Sequence, residues 1–416
     1  MKFEDYRIAP EIKENLAEMG LKRPTDIQFK AITPILKGED VLAIAQTGTG
    51  KTAAFAIPVV HRLNEKKRST RSEAVRCLVL APTRELAQQI TEVFERVARR
   101  TRVRAFCLFG GVDQGPQIAR LTKGVDILVT TPGRMFDLCS QGYLNLREVE
   151  ILVLDEADHM LDKGFIKDIN DVSRLLPRHR QTLFFSATIN ETIKKLAYSL
   201  VRNAIRIQIS PKDPVSKNVV HHVAFIKMDD KRFFLARLID ENPDSKILVF
   251  VRTKVRAERV AKALERAEKE SVTIHGDKEQ KDRFDVMKKF REGTVKVLIA
   301  TDVSARGIDI PDVDIVVNYD LPDVPEQYVH RVGRTGRGDK KGRAIAFSSP
   351  EEKEYLQAIE DFIGKNIPVF ELDQTEYEET IVMHSDRPDK MRAVMEEIAA
   401  FEAWEQGAKK GKKRGK

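Results

Sequence analysis

Short apolar runs rich in β-branched residues alternate with segments of helical spacing along most of this chain. The runs "VLAIA" (41–45), "CLVLA" (77–81), "DILVT" (126–130), "ILVL" (151–154) and "TLFFS" (182–186) have the character of strands buried on both faces. Segments such as "ELAQQITEVFERVARR" lie between them, with apolar residues at helical intervals. That alternation is the signature of a parallel sheet joined by crossover helices. It pauses at "SPKDPVSKN" (210–218), which has two prolines and little apolar content and reads as a linker. It then resumes with "KILVFV" (246–251), "SVTI" (271–274), "KVLIA" (296–300), "DIVVN" (314–318) and "RAIAF" (343–347). At 416 residues the chain is also too long for one comfortable core. The expectation is two α/β domains, 1–209 and 219–376, each a parallel β-sheet flanked by helices, then a short charged C-terminal extension, 377–416.

Composition narrows the class. A hydrophobic fraction of 42% with 33% charged residues describes a globular chain rather than a disordered one. No apolar run approaches the roughly 20 residues of a membrane helix. The start, "MKFEDYRIAP", has no apolar signal region, so a cytoplasmic location without membrane contact is expected. Cys77, Cys107 and Cys139 form no CxxC pair and read as buried, reduced thiols. The formal net charge is +8, and the end, "KKGKKRGK", is basic throughout. Such a tail either touches phosphates non-specifically or only keeps the chain soluble.

"AQTGTGKT" (45–52) follows the first apolar run and precedes a helical one. Gly48 and Gly50 permit a tight turn whose N–H groups face phosphate oxygens, and the helix N-terminus adds its dipole. Lys51 can reach the β and γ phosphates, and the Thr52 hydroxyl can hold Mg²⁺. The usual motif begins with glycine, whereas this one begins with Ala45. "LDEADHM" (154–160) ends another strand in three carboxylates. In parallel α/β sheets ligands sit beyond the carboxyl ends of strands. Asp155 can therefore reach Mg²⁺, and Glu156 can accept a proton from attacking water. Without the phosphate loop, the same carboxylates would read as an ordinary acidic helix start.

"AQTGTGKT", "DEAD" (155–158), "SAT" (186–188) and "HRVGRTGR" (330–337) occur in that order. Together they resemble the DEAD-box RNA helicases of superfamily 2, and the resemblance covers about 3–368. It implies two tandem RecA-like domains that close over ATP, Mg²⁺ and single-stranded RNA. It implies a nucleotide site of Ala45, Gln46, Thr47, Gly48, Thr49, Gly50, Lys51 and Thr52 with Asp155 and Glu156. "GLKRPTDIQ" (20–28) is similar to the Q motif, in which Gln28 reads the adenine edge and Phe3 stacks on the base. "ATDVSARGIDI" (300–310) implies Gly307 and Asp309 at the nucleotide, with Thr301 and Arg306 toward RNA. Arg334 and Arg337 stand where the family places arginine fingers on the γ-phosphate.

The loops "APTREL" (81–86), "FGG" (109–111) and "TPGR" (131–134) end or follow strands and are rich in Gly, Pro, Thr and Arg. Such loops suit a sugar–phosphate chain, although turn chemistry and helix capping would use the same residues. The resemblance implies RNA contacts at Pro82, Thr83, Arg84, Gly110, Gly111, Thr131, Pro132, Gly133 and Arg134. In the second half it adds Gly276, Gln280 and Arg283 from "IHGDKEQKDRF" (274–284), and "VRTK" (251–254), where Arg252 carries less weight. Ser186 and Thr188 would bond to Asp158, and His330 with Arg331 would maintain an interdomain network. No GKT follows "KILVFVRTK", so the second domain should bind no nucleotide alone. The extension, with the single Trp404, reads as a helix packed on the second domain or a spacer.

The expected activity is ATP-driven local unwinding of short RNA duplexes, with little sequence preference, by a monomer of the bacterial, RhlE-like kind. An ATP-gated RNA clamp or ribonucleoprotein assembly factor would carry identical motifs. A double-stranded DNA translocase of the same superfamily fits the Q motif and the DEAD spelling less well.

Overall fold

The computed structural model describes residues 1–46, 48–66, 74–209, 215–302, 313–336 and 340–384. Thr47, Arg306, Gly307, Asp309, Arg337, most of the expected linker, Trp404 and the basic tail lie outside the described residues.

The first domain is a parallel sheet of seven strands: β1 (Val41–Ala45), β2 (Cys77–Leu80), β3 (Ala105–Leu108), β4 (Ile127–Thr130), β5 (Ile151–Leu154), β6 (Gln181–Ser186) and β7 (Ile205–Ile209), in the order β3-β4-β2-β5-β6-β1-β7. The second has six: β8 (Val219–Phe225), β9 (Ile247–Val251), β10 (Val272–Ile274), β11 (Val297–Thr301), β12 (Ile315–Asn318) and β13 (Gly342–Ser348), in the order β10-β11-β9-β12-β13-β8. Strands β1 to β6 and β8 to β13 have the same spatial order, so the domains share one topology. β8 is therefore the counterpart of β1. The place to look for a second phosphate loop is after β8, not after the "KILVFV" run, and no GKT stands there either.

Helices cover both faces of each sheet. In β1, Val41, Ala43 and Ala45 enter one core while Leu42 and Ile44 enter the other. In β5, Ile151 and Val153 divide from Leu152 and Leu154 in the same way. Burial on both faces is why these strands are continuous apolar runs. Phe55 anchors the first core, 5.2 Å from the ring of Phe185 and 5.9 Å from that of Phe94.

Three strands escaped the sequence criterion: β3, β7 and β8. Each is an edge strand. β7 reads "IRIQI" and exposes Arg206 and Gln208, and two histidines interrupt β8, "VVHHVAF". A search for runs buried on both faces passes over such strands.

The boundary at 376/377 is also corrected. It falls inside one helix, Gln374–His384, which docks on the second domain. Tyr377 packs at a tilt against Phe234, with centroids 4.8 Å apart, and its hydroxyl donates to Asp230 at 2.9 Å, while Arg237 donates to Glu376 at 2.6 Å. This stretch belongs to the second domain. Of the three thiols expected to be buried, Cys77 is buried while Cys107 and Cys139 are half-buried; burial pushes Cys107 up to about 12 and Cys77 higher still. No helix among the described residues is long and apolar enough to cross a membrane.

Candidate functional site

β1 ends at Ala45 and the next helix begins at Lys51, so the phosphate loop bridges a strand end and a helix start. Ala45 is fully buried in the strand and paired with Ile209, where a methyl group is accommodated and glycine is not required. Gly48 and Gly50 have φ of 79° and 91°, the left-handed region that favours glycine. A Cβ on Gly50 would stand 2.5 Å from Gln28 Nε2. Gln28 donates to the Gly50 carbonyl at 3.1 Å and accepts the Thr25 N–H at 2.9 Å, and Thr25 donates to the Thr49 carbonyl at 2.8 Å. The carboxamide therefore braces the loop, and it retains one N–H and one lone pair for another partner. Phe3 is 3% exposed and packs in the first core beside Tyr6.

Lys51 is buried, and its Nζ has no hydrogen-bond partner among the described residues. A buried ammonium left in that state calls for an anion. Around it are the DEAD carboxylates. Asp155 leaves β5 buried, accepting the Glu156 N–H at 3.0 Å. Burial pushes its carboxyl up to about 6, against the pull of Lys51. Glu156 has a left-handed backbone, φ 52°, a conformation that is strained for a non-glycine residue. Burial would raise its pKa, but His159, Lys51 and Arg334 outweigh this and hold it at about 2. His159, to which the sequence assigned nothing, has Nδ1 3.5 Å from Glu156 Oε2. The only sequence signal is its place three residues on, one helical turn away.

Asp158 Oδ2 accepts the Thr188 N–H at 3.0 Å, the Thr188 hydroxyl at 3.1 Å and the Ala187 N–H at 3.2 Å. Ser186 does not join it. The turn after β6 brings the Thr188 carbonyl to the Ser186 hydroxyl, which donates there at 2.7 Å. Arg331 is likewise corrected: it is an intradomain lock. It donates to Asp302 at 2.6 and 2.7 Å, to Asn318 at 3.1 Å and to the Asp320 carbonyl at 2.7 Å. His330 and Arg334, from the second domain, line a cavity of about 160 Å³ opposite Glu156, His159 and Thr188.

A second contact between domains lies on the loops expected at RNA. Arg84 donates to Gln280 at 3.0 Å, Gln280 donates to buried Glu85 at 2.8 Å, and Arg283 Nη2 lies 2.9 Å from the same carboxylate. These residues hold each other across the cleft; each guanidinium retains other N–H donors. Thr83 caps its helix through the Leu86 N–H, and the Pro82 carbonyl accepts from Lys163. Gly111, at φ 78°, lies under the Arg84 guanidinium, which a Cβ there would meet at 2.3 Å; a Cβ on Gly110 would meet it at 3.8 Å, an ordinary contact. Around Gly133 and Gly276 an added Cβ would meet nothing within 4 Å, so their backbone is open. Arg134 donates to the Val112 carbonyl and keeps a buried Nη1 without a partner. Thr131 and Pro132 begin that helix, with no cap bond from the Thr131 side chain. Thr301 ends β11, buried.

A phosphate loop with an unpaired lysine, carboxylates at the next strand end and arginine from a second, similar domain define a two-domain nucleoside-triphosphatase. The DEAD/DEAH box helicase model matches 25–196, and the helicase conserved C-terminal domain matches 230–339. The chain is 41% identical over 368 residues to ATP-dependent RNA helicase CshA of Listeria monocytogenes, covering 88% of this chain and 69% of that one. Among solved structures, S. cerevisiae Dbp5 bound to RNA and ADP BeF3 superposes with a TM-score of 0.79 at 32% identity, over 91% of this chain and 99% of that one. DEAD-box helicase Mss116 bound to ssRNA and UDP-BeF gives 0.82 at 28% identity, over 92% and 82%. The chain belongs to the DEAD-box family and is an ATP-dependent RNA helicase.

Proposed function

We propose that this helicase binds ATP, Mg²⁺ and single-stranded RNA across both domains, and opens short duplexes locally as the domains close. The observation that carries this reading is the buried, unpartnered Lys51 ammonium beside Asp155 and Glu156, with Arg334 facing them from the other domain.

Lys51 and the N–H groups of Gly48 to Thr52 hold the β and γ phosphates. Among the described residues no group of three or more His, Cys, Asp or Glu could hold a metal by itself. The residues present nevertheless fit Mg²⁺ held jointly with the nucleotide, through Asp155 and the Thr52 hydroxyl, as this ion commonly is. When bound, Mg²⁺ would neutralise phosphate charge. Glu156, held ionised, accepts the proton of the attacking water, and His159 orients it. Arg334, joined by Arg337, stabilises charge on the transferred phosphoryl group. Gln28 offers its remaining N–H and lone pair to adenine, and Gly307 and Asp309 meet the nucleotide. The open backbone at Gly133 and Gly276 and the spare donors of Arg84, Arg134 and Arg283 contact the RNA backbone. Thr188 on Asp158 carries the state of the nucleotide toward that grip.

Contacts to backbone imply little sequence preference and a strong salt dependence. The proposed helicase is a monomer acting in the cytoplasm on ribonucleoprotein substrates, and the likeness to bacterial CshA supports a bacterial kind. Glu156→Gln should lower RNA-stimulated turnover at least about 10²-fold, with ATP and RNA binding intact. Hydrolysis at the original rate would refute the assignment of the base. Strand displacement on short and long duplexes then separates unwinding from stable clamping.

A further inference from the structure

Beside the polar contacts between the domains lies an aromatic one that the chemistry above does not use. Phe109, after β3, and Phe284, on the helix Gln280–Glu292, meet edge to face, with centroids 6.0 Å apart and planes at 60°. We propose that these two rings form a clasp that positions the second domain on the first and is made only on closure. The clasp rests on the closing reading above.

Phe109 is held by its own loop, and Phe284 stands on a helix whose Met287 and Phe290 are buried in the second domain's core. Gln117, buried, accepts the Phe109 N–H at 3.1 Å and donates to the Phe109 carbonyl at 3.2 Å, fixing the backbone that carries the ring. Phe284 directly follows Arg283, which is already tied to Glu85 across the cleft. A ring with two side-chain torsions on a fixed backbone loses little freedom on docking, so most of the contact favours the closed form. Neither ring belongs to a domain core. Both are half-buried, and a cleft of about 430 Å³ opens between the domains beside Phe284 and Glu85. Removing either ring therefore takes little from the stability of its own domain. The edge-to-face geometry also adds directionality, because the edge of one ring meets the electron-rich face of the other.

The test uses the full chain with one fluorophore on each domain and a non-hydrolysable ATP analogue. Closure is followed as single-stranded RNA is titrated. Phe284→Ala and Phe109→Ala should each raise the RNA midpoint about two- to tenfold, the worth of one aromatic pair. The double variant should be no worse than the weaker single, and Phe284→Tyr should restore the midpoint. The kcat of Phe284→Ala at saturating RNA should stay within about twofold, because the clasp acts on assembly of the closed state. An unchanged midpoint for Phe284→Ala would overturn the proposal. So would independent effects that multiply in the double variant. A shift confined to Phe109→Ala would mean that this ring meets RNA instead. If the unsubstituted chain fails to close with RNA and nucleotide, the closing reading itself is wrong, which the same titration shows separately.

Discussion

Two lysines occupy the same place in the two domains and have opposite surroundings. Lys51 is the first residue of the helix after β1, and Lys231 is the first residue of the helix after β8, its counterpart strand. Both are buried. Lys51 has no hydrogen-bond partner among the described residues, whereas Lys231 donates to Glu352 and, at 2.7 Å, to the Tyr319 carbonyl. Glu352 also takes Arg252 at 2.7 Å and the N–H groups of Leu321 and Ser349 at 3.1 Å. It collects in one carboxylate the kind of donors that a phosphate would. One domain leaves its cation without a hydrogen-bond partner among the described residues, as the proposed nucleotide site requires. The other closes the same position with its own anion and is left to contribute Arg334 across the cleft. A shared topology thus carries two functions according to whether one buried charge is paired within the fold.

The comparison breaks most sharply at Lys231. Lys231→Met strands Glu352 in the interior and should destabilise the second domain by about 3–5 kcal/mol, measured by urea unfolding. Adding Glu352→Leu should recover only part of that loss, because it removes the stranded carboxylate but also leaves the Leu321 and Ser349 N–H groups without their acceptor. If Lys231→Met alone is neutral, the pair is not the closure described. Next in size, Lys51→Ala should lower turnover about 10²–10³-fold. It should change unfolding in the absence of nucleotide by less than Lys231→Met does, because no internal hydrogen bond is lost and only the pull on Asp155 and Glu156 goes. A loss of stability as large as that of Lys231→Met would show that Lys51 is bonded within the fold after all.

The smallest effect concerns the carboxylate beside Lys51. Asp155 has its pKa raised from 3.8 to about 6 by burial. A group raised on folding gives stability that is present in full below its unfolded value and lost as pH rises through its folded value. Asp155→Asn should therefore stabilise the nucleotide-free protein at pH 7.5, by at most about 3 kcal/mol. The same substitution should have little effect near pH 4. An equal gain at both pH values would remove titration of Asp155 as the cause. Such a variant would be more stable and inactive, as expected if the site is held under electrostatic tension for its ligand.

The legible parts of this molecule were local ones. Interior strands announced themselves because burial on both faces forces apolar runs; β3, β7 and β8 lie at edges, where that demand is relaxed, although β10, also at an edge, kept a readable run. The phosphate loop and the DEAD stretch were readable because a turn, a helix start and a strand end place their residues within a few positions of each other. Thr188 met Asp158 as the motif implied, but the Ser186 hydroxyl turned to the Thr188 carbonyl. That choice depends on the turn after β6, not on residue type.

The amino-acid order by itself determined two parallel α/β domains, and it placed a glycine-rich loop and three carboxylates at strand ends of the first. Only the tertiary structure decided which charges are paired. Lys231 with Glu352, Arg331 with Asp302, Arg84 with Gln280 and Phe109 with Phe284 join residues far apart in the chain. An arginine or lysine carries the same donors wherever it stands. Whether it is spent on a neighbour or kept for a phosphate is fixed by what the fold brings within about 3 Å of it.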